Sequence, residues 1–206
     1  MKIIQTIKKI FGSIIYDENI IHDGIKVLHI TDTPTTGYGA IFKLINRIEP
    51  DYIIHTGDLA DNIKLEIYPE KIDLYKKKVK NFVLNLEKFN CETYIVIGNH
   101  DNQAFIKELL KTTQIIDTFS QINICNKNFL ITHKLEDVLN KKSLIENSDY
   151  LLHGHSFYDE TFDKNIKVLN GLKGIYLIYP QQEEIFHIDY PVGTNDSRMQ
   201  RFGTGI

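Results

Sequence analysis

Short apolar runs alternate with helical segments through the first half of the chain. The apolar runs, which have the length of buried strands, lie at 25–30, 52–55 and 93–97. The helical segments that follow them lie at 40–48, 64–90 and 102–111. A strand–loop–helix order that repeats three times predicts a layered α/β fold with a largely parallel sheet.

The second half of the chain is richer in strands. Predicted strands lie at 129–133, 150–153, 166–169, 174–179 and 184–189, and one helix is predicted over 134–147. The last three strands follow one another closely, so we expect tight turns between them and antiparallel pairing. This pattern predicts a second sheet.

The two ends of the chain differ from its middle. One helical stripe in residues 2–15 carries Ile3, Ile7, Ile10, Phe11 and Ile14. Such a helix could lie on a membrane, but few lysines support that role, and packing against the domain core is the favoured interpretation. The last residues are polar and Gly-rich, which predicts a loose tail. The predicted organisation is an extension over 1–20, one domain over 21–190 and a tail over 191–206.

The composition is that of an ordinary globular domain. Of the 206 residues, 42% are hydrophobic and 25% are charged, which excludes a disordered chain, a coiled coil and a disulfide scaffold. The formal net charge of −3 provides no general attraction for nucleic acid. No apolar run reaches the roughly 18 residues of a membrane span, and the N-terminus lacks the features of a signal peptide. We therefore expect a cytoplasmic protein whose two cysteines, Cys91 and Cys125, are free thiols.

Five polar side chains that can bind a metal each follow an apolar run. They are Asp32, Asp58, Asn99, His133 and His155. Any one of them alone would be read as a helix cap, a turn residue or a core histidine. Because the segments between them let each strand return to one edge of the sheets, the five side chains can converge. Two carboxylates, an amide oxygen and two imidazoles suit Mn, Fe, Zn or Co.

The local sequences around these residues resemble those of a known family. The motifs are Asp32-Thr33-Pro34, Gly57-Asp58-Leu59-Ala60-Asp61, Gly98-Asn99-His100-Asp101, Thr132-His133 and Gly154-His155-Ser156-Phe157. In this order they resemble the calcineurin-like metallophosphoesterases over residues 25–190, in particular the compact bacterial phosphodiesterase branch. The resemblance implies a four-layer αββα sandwich, in which two mixed sheets are flanked by helices and the site lies at the sheet edges.

Two positions depart from the family's pattern. Pro34 and Phe157 stand where the family has histidines that bind the first of two metals, and neither side chain can bind a metal. The first site then keeps only Asp32 and Asp58, which suit weakly held Mg²⁺ or Mn²⁺. The second site keeps its full set, with Mn, Fe, Zn or Ni as the expected metal, on Asp58, Asn99, His133 and His155. A nearby group could instead replace a lost ligand, the candidates being His153, Asp159 and Glu160.

The resemblance also implies a mechanism, the hydrolysis of a small phosphate ester by metal-activated water. His100 matches the family's general acid, which protonates the leaving oxygen. We expect Asp101 to orient the His100 ring and Asp61 to support the ligands. Both carboxylates could equally serve as charges that stabilise helix N-termini. A phosphodiesterase is the expected activity.

A non-catalytic scaffold with the same fold is the main alternative. The loss of two metal-binding histidines favours the scaffold, whereas the retention of His100, Asp101 and the second site favours the enzyme. A nuclease is disfavoured by the net charge and by the lack of an arginine-rich stripe.

Overall fold

The computed structural model describes residues 13–158, 160, 162 and 166–199. The ten strands of this part are β1 (Val27–Ile30), β2 (Tyr52–His55), β3 (Glu92–Val96), β4 (Gln114–Ile116), β5 (Phe119–Ile124), β6 (Lys127–Thr132), β7 (Tyr150–His153), β8 (Lys167–Asn170), β9 (Ile175–Tyr179) and β10 (Glu184–Ile188). The α-helices are α1 (Tyr38–Ile48), α2 (Ile72–Leu86), α3 (Gln103–Leu109), α4 (Lys142–Glu146) and α5 (Thr194–Met199). Within these ranges, no helix combines the length and the apolar character that a membrane span requires.

The strands form two mixed sheets. The larger sheet has the order β10-β9-β1-β2-β3-β4, with β1 to β4 parallel and with β9 antiparallel to both β1 and β10. The smaller sheet has the order β5-β6-β7-β8, in which β5 and β6 are antiparallel and β6 to β8 are parallel. The parallel strands in each sheet therefore end at the same edge.

Successive residues of a strand point to opposite faces of its sheet and therefore belong to different hydrophobic cores. In β1, Leu28 and Ile30 share a core with α1 and α2, whereas Val27 belongs to the core between the two sheets. On the far side of the smaller sheet, Leu130 and Leu151 share a third core with α4. The order of layers is helices, sheet, sheet, helix, so the predicted four-layer αββα sandwich is confirmed.

Several local predictions differ from the structure. Strands β9 and β10 belong to the larger sheet, in which β9 pairs with β1 on one side and with β10 on the other. Strands β4 and β5 lie in a segment where the sequence pattern predicts none. The long helix predicted before residue 90 is confined to α2, since Pro69 begins a 3₁₀ turn ahead of it. The helix predicted over 134–147 is a 3₁₀ turn followed by the short α4.

The predictions for the two ends of the chain have different outcomes. The predicted N-terminal helix falls almost wholly outside the described residues, and residues 13–15 are not helical. The prediction of a loose C-terminal tail is wrong for the described residues 191–199, because they contain the helix α5. This helix is held to the domain by a buried arginine.

Arg198 anchors α5 to the loop that follows β1. Its Nε donates to the backbone oxygen of Asp32 at 2.7 Å, and its terminal nitrogens donate to the carbonyls of Thr31 and Leu172 at 3.1 and 3.2 Å. The guanidinium also lies 4.2 Å from the centre of the Tyr190 ring. Because Arg198 is only 4% exposed, these partners take the place of water around its charge.

Replacing Arg198 is therefore expected to destabilise the fold. Arg198→Met should lower the free energy of unfolding by about 2–3 kcal/mol, because it leaves buried carbonyls without their charged donor. Arg47→Met is the matched control, since Arg47 pairs with Glu18 where both side chains are 62% exposed. That control should cost far less, because an exposed ion pair contributes little to stability. Equal losses for the two variants in denaturant unfolding would contradict the anchoring role of Arg198.

Candidate metal centre

The candidate ligands lie where parallel strands end. Asp58 and Asn99 follow β2 and β3 of the larger sheet, and His133 and His155 follow β6 and β7 of the smaller sheet. The facing edges of the two sheets bring these four side chains together, as the sequence predicts. Asp32 follows β1 at the same edge.

Three of the four side chains form a close group of potential ligand atoms. One atom each from Asp58, His133 and His155 lies within 4.8 Å of the others. The His133 Nε2 atom is 3.4 Å from Asp58 Oδ2 and 3.0 Å from the amide oxygen of Asn99. The four residues therefore offer a carboxylate, an amide oxygen and two imidazoles to one small volume, a donor set that fits a divalent transition metal.

A hydrogen bond to the backbone fixes the orientation of the His133 ring. Its Nδ1 lies 2.7 Å from the backbone oxygen of Thr56, which can only accept a hydrogen bond, so Nδ1 carries the proton. The other ring nitrogen, Nε2, then faces Asp58 and Asn99. A carbonyl partner of this kind is the usual support of a metal-binding histidine.

Asp58 and His133 form a buried ion pair in the metal-free protein. Although burial alone would lower it, the pKa of His133 is raised to about 10 by the Asp58 carboxylate. Burial would raise the pKa of Asp58, but the His133 imidazole outweighs burial and holds that pKa below its usual range. A bound metal takes the place of the proton on Nε2 and keeps the carboxylate compensated.

The backbone around the ligands is tightly packed and strained. Asp32, Asp58 and His155 all have left-handed φ angles, of 44°, 56° and 65°. At Gly98, a Cβ atom would lie 2.2 Å from Asp58 Oδ1, so no larger residue fits beside that carboxylate. At Gly154, a Cβ atom would lie 2.3 Å from an oxygen of Asp32. Strain at several positions of one site is typical of functional centres.

The structure differs from the prediction for Asp101, which does not orient the His100 ring. Its carboxylate accepts hydrogen bonds from four donors at 2.8–3.0 Å, namely the backbone N–H groups of Asp58, Leu59 and Gly98 and the hydroxyl of Tyr75. Burial raises the pKa of Asp101 to about 7, and the charge of Asp58 adds to the rise. Asp101 thus joins the loops after β2 and β3 to helix α2. The N-cap of α3 is instead Asn102, whose side chain accepts from Phe105 N.

His100 lies beside the ligand group. Its backbone N–H donates to Asp58 Oδ1 at 2.9 Å, and its ring nitrogens lie 3.3 and 3.4 Å from the amide nitrogen of Asn99. Glu66 is 3.9 Å from the ring. Burial lowers the pKa of His100, whereas the nearby Asp58 opposes that change.

Asp61 has a different partner from the one expected. Its carboxylate forms a salt bridge with Lys64 and is only 2% exposed. Burial, followed by the charges of Asp32 and Asp58, raises the pKa of Asp61 to about 7. One atom each from Asp58, Asp61 and His100 forms a second group within 4.8 Å. Asp61 therefore lies in the same charged cluster as the ligands.

The possible first metal site, at Asp32 and Asp58, offers few potential ligand atoms. One oxygen of Asp32 accepts from the Thr31 hydroxyl at 2.6 Å and from His155 N at 3.1 Å, so it is already engaged by the protein. Asp32 belongs to neither close group of potential ligand atoms among the described residues. Of the candidate replacements, Glu160 accepts from Tyr158, and the buried His153 lies outside both groups, whereas Asp159 is not among the described residues.

A cavity of about 160 Å³ opens over the cluster. It is lined by Asp32, Asp58, Asp61, Lys64, His100, His155, Phe157, Leu172, Asn195, Arg198 and Met199. Phe157 is 50% exposed at its rim. Helix α5, which the sequence analysis assigned to the tail, supplies one wall.

Comparison with known proteins agrees with this arrangement. Residues 25–195 match the model of the calcineurin-like phosphoesterase family. The chain belongs to this family. Its cluster of buried carboxylates and histidines accordingly lies where the two sheets of a phosphoesterase fold meet.

Individual relatives of this phosphoesterase family member are distant. The DNA double-strand break repair protein Mre11 of Methanocaldococcus jannaschii is 24% identical over 208 residues, which cover 90% of this chain and 52% of that protein. The chain thus spans about half the length of that curated relative. The solved E. coli phosphoesterase YfcE is 14% identical, with a TM-score of 0.49 over 81% of this chain and all of that one. Another solved chain is matched over its whole length and 82% of this one, with a TM-score of 0.57 at 12% identity.

Two positively charged cavity residues, Lys64 and Arg198, are absent from the sequence predictions. Lys64 lies six residues after Asp58, in a segment that reads as the start of a surface helix, and Arg198 lies in the presumed tail. No sequence pattern marks Lys64 or Arg198 as a cavity residue.

The close contact between Gly98 and Asp58 generates a prediction. Gly98→Ala should weaken metal binding at least about tenfold and lower the free energy of unfolding by about 1–3 kcal/mol, because its Cβ displaces the Asp58 carboxylate. Gly39→Ala in α1 is the control, since a Cβ there meets nothing within 4 Å. Metal titration and denaturant unfolding measure both effects. A Gly98→Ala protein that binds metal as well as the control would show that the contact does not shape the site.

Proposed function

We propose that the protein is a metal-dependent phosphoesterase that hydrolyses a small phosphate ester, in particular a phosphodiester. The observation that carries the proposal is the close grouping of Asp58, Asn99, His133 and His155 beneath a cavity that His100 also lines. Membership in the phosphoesterase family supports the same reaction class. A cytoplasmic location remains part of this proposal.

The four ligands would hold one transition metal, with Mn, Fe, Zn or Ni as the candidates. When bound, such a metal would polarise a phosphoryl oxygen and would lower the pKa of a water molecule, so that the water loses a proton to solvent and the resulting hydroxide can attack phosphorus at neutral pH. Asp32 and Asp58 would hold Mg²⁺ or Mn²⁺ only weakly, because one Asp32 oxygen already serves Thr31 and His155. A single tightly bound metal is therefore the proposed resting state.

His100 supplies the proton that hydrolysis requires. As the oxygen of water forms its bond to phosphorus, the bond from phosphorus to the leaving oxygen breaks, and His100 donates a proton to that oxygen. The hydrogen bond from His100 N to Asp58 Oδ1 fixes the residue next to the ligands. Asp101 acts indirectly. Its carboxylate accepts hydrogen bonds from Asp58 N and Gly98 N and so holds the loop that carries Asn99 and His100.

A non-catalytic scaffold remains the second candidate, and one observation favours it. Phe157, at the position where the family's pattern has a metal-binding histidine, is 50% exposed at the cavity rim, and the neighbouring Tyr158 is 59% exposed. Exposed aromatic side chains are common at protein-binding surfaces. The named relative Mre11 acts in DNA repair, but the net charge of −3 favours a small ester over nucleic acid here.

Hydrolysis of an aryl phosphodiester separates the enzyme from the scaffold. Purified protein should hydrolyse bis(p-nitrophenyl) phosphate in at least one of Mn²⁺, Mg²⁺, Zn²⁺ and Ni²⁺, and chelation should abolish the activity. His133→Ala should lose it by at least about a hundredfold, because it removes a ligand. Folded protein that is inactive with every metal would support the scaffold instead.

The role of His100 can be tested by varying the leaving group. His100→Ala should slow the hydrolysis of alkyl esters by about 10²–10⁴-fold, but that of activated aryl esters far less, because aryl oxides leave without a proton. His187→Ala is a control, since this histidine on β10 does not line the cavity. Equal losses on both ester classes would remove His100 from the role of general acid.

A further inference from the structure

The side chain of Lys64 is half-buried beside the carboxylate cluster rather than extended into solvent. It is 21% exposed, and its ammonium pairs with Asp61, which is 2% exposed. Both residues line the cavity over the candidate metal ligands. A lysine on the surface would keep its charge in water, so this placement needs a reason.

The backbone holds Lys64 in a strained conformation. Eight non-glycine residues in the described part of the chain have left-handed φ angles, and Lys64, at 52°, is one of them. Four of the eight line the single cavity over the metal ligands, the others being Asp32, Asp58 and His155. The carbonyl of Lys64 accepts two backbone hydrogen bonds at 2.9 Å, from Ile67 and Tyr68, which hold this geometry. Lys64 thus shares its strained backbone with three other residues of the same cavity, and such strain is typical of functional sites.

The charge balance of the cavity also singles out Lys64. Three carboxylates line it, and its lysine and arginine side chains are Lys64 and Arg198. The guanidinium of Arg198 uses four of its five N–H donors on backbone carbonyls and on Asn195. An ammonium has three donors, and that of Lys64 has Asp61 as its partner, so it can bind oxygens of a ligand as well.

We propose that the Lys64 ammonium takes over the role of the first metal by binding the phosphoryl oxygens of the substrate. This inference rests on the proposed function and assigns a substrate-binding residue to it. The neutral Pro34 and Phe157 stand at the lost ligand positions, and Lys64 provides a permanent positive charge in the same cavity. The charge is built into the chain, so the site needs only one bound metal.

The proposal has a second consequence, which concerns cations. Potential ligand atoms of Asp58, Asp61 and His100 lie within 4.8 Å of one another, and the ammonium of Lys64 compensates this group. Removing the ammonium makes the net charge around this group more negative by one unit. A variant without it should bind phosphate more weakly and a second divalent cation more tightly.

The test measures binding of inorganic phosphate and of Mn²⁺ by calorimetry on folded, metal-loaded protein. Lys64→Gln should weaken phosphate binding by about tenfold or more, because a charged hydrogen bond is lost. It should also tighten the second Mn²⁺ site. Lys64→Arg should retain phosphate affinity within about threefold, since the charge remains. Lys77→Gln, on the exposed face of α2, removes the same charge and should change neither quantity.

The outcomes separate this inference from the proposed function. If the Lys64→Gln and Lys77→Gln proteins bind phosphate equally well, or if the unaltered protein binds none, the inference is wrong even where ester hydrolysis is observed. If phosphate affinity falls only in Lys64→Gln but no ester is hydrolysed by the unaltered protein, Lys64 is an anion-binding residue and the hydrolase proposal fails alone.

Discussion

The hydrogen bonds that the Asp101 carboxylate accepts are the interactions on which the rest of the site depends. The carboxylate accepts hydrogen bonds from the backbone of Asp58, Leu59 and Gly98 and from the Tyr75 hydroxyl, so one side chain connects two strand-end loops to helix α2. These loops carry Asp58 and Asn99. This carboxylate, the hydrogen bond from His100 N to Asp58 Oδ1 and the close contact of Gly98 with Asp58 together hold the two loops in position.

Much of the fold and the convergence of the ligands follow from the sequence. Apolar runs of strand length, each ended by a polar residue, indicate which side chains gather at a sheet edge, and the structure places Asp58, Asn99, His133 and His155 there. The sheet to which a short strand belongs does not follow in this way. The structure pairs β9 with β1 and β10, and nothing in its short apolar sequence marks that choice.

The remaining differences concern partners that local sequence cannot reveal. Asp101 was expected to serve a neighbouring ring, yet its partners are backbone N–H groups, which every residue possesses and no sequence pattern marks. Arg198 binds carbonyls more than 160 residues earlier in the chain. Lys64 resembles an ordinary surface lysine until its pair with the buried Asp61 is known. Each is a long-range or buried electrostatic contact whose value depends on desolvation.

The protein is a member of the phosphoesterase family, and we propose that one of its ligand sets is complete and that a lysine replaces part of the other. Crystals grown with Mn²⁺ test it most directly, through an anomalous difference map. The account predicts one strong peak, coordinated by Asp58, Asn99, His133 and His155. A strong peak at Asp58, Asp61 and His100 instead, or two peaks of equal height, would contradict it.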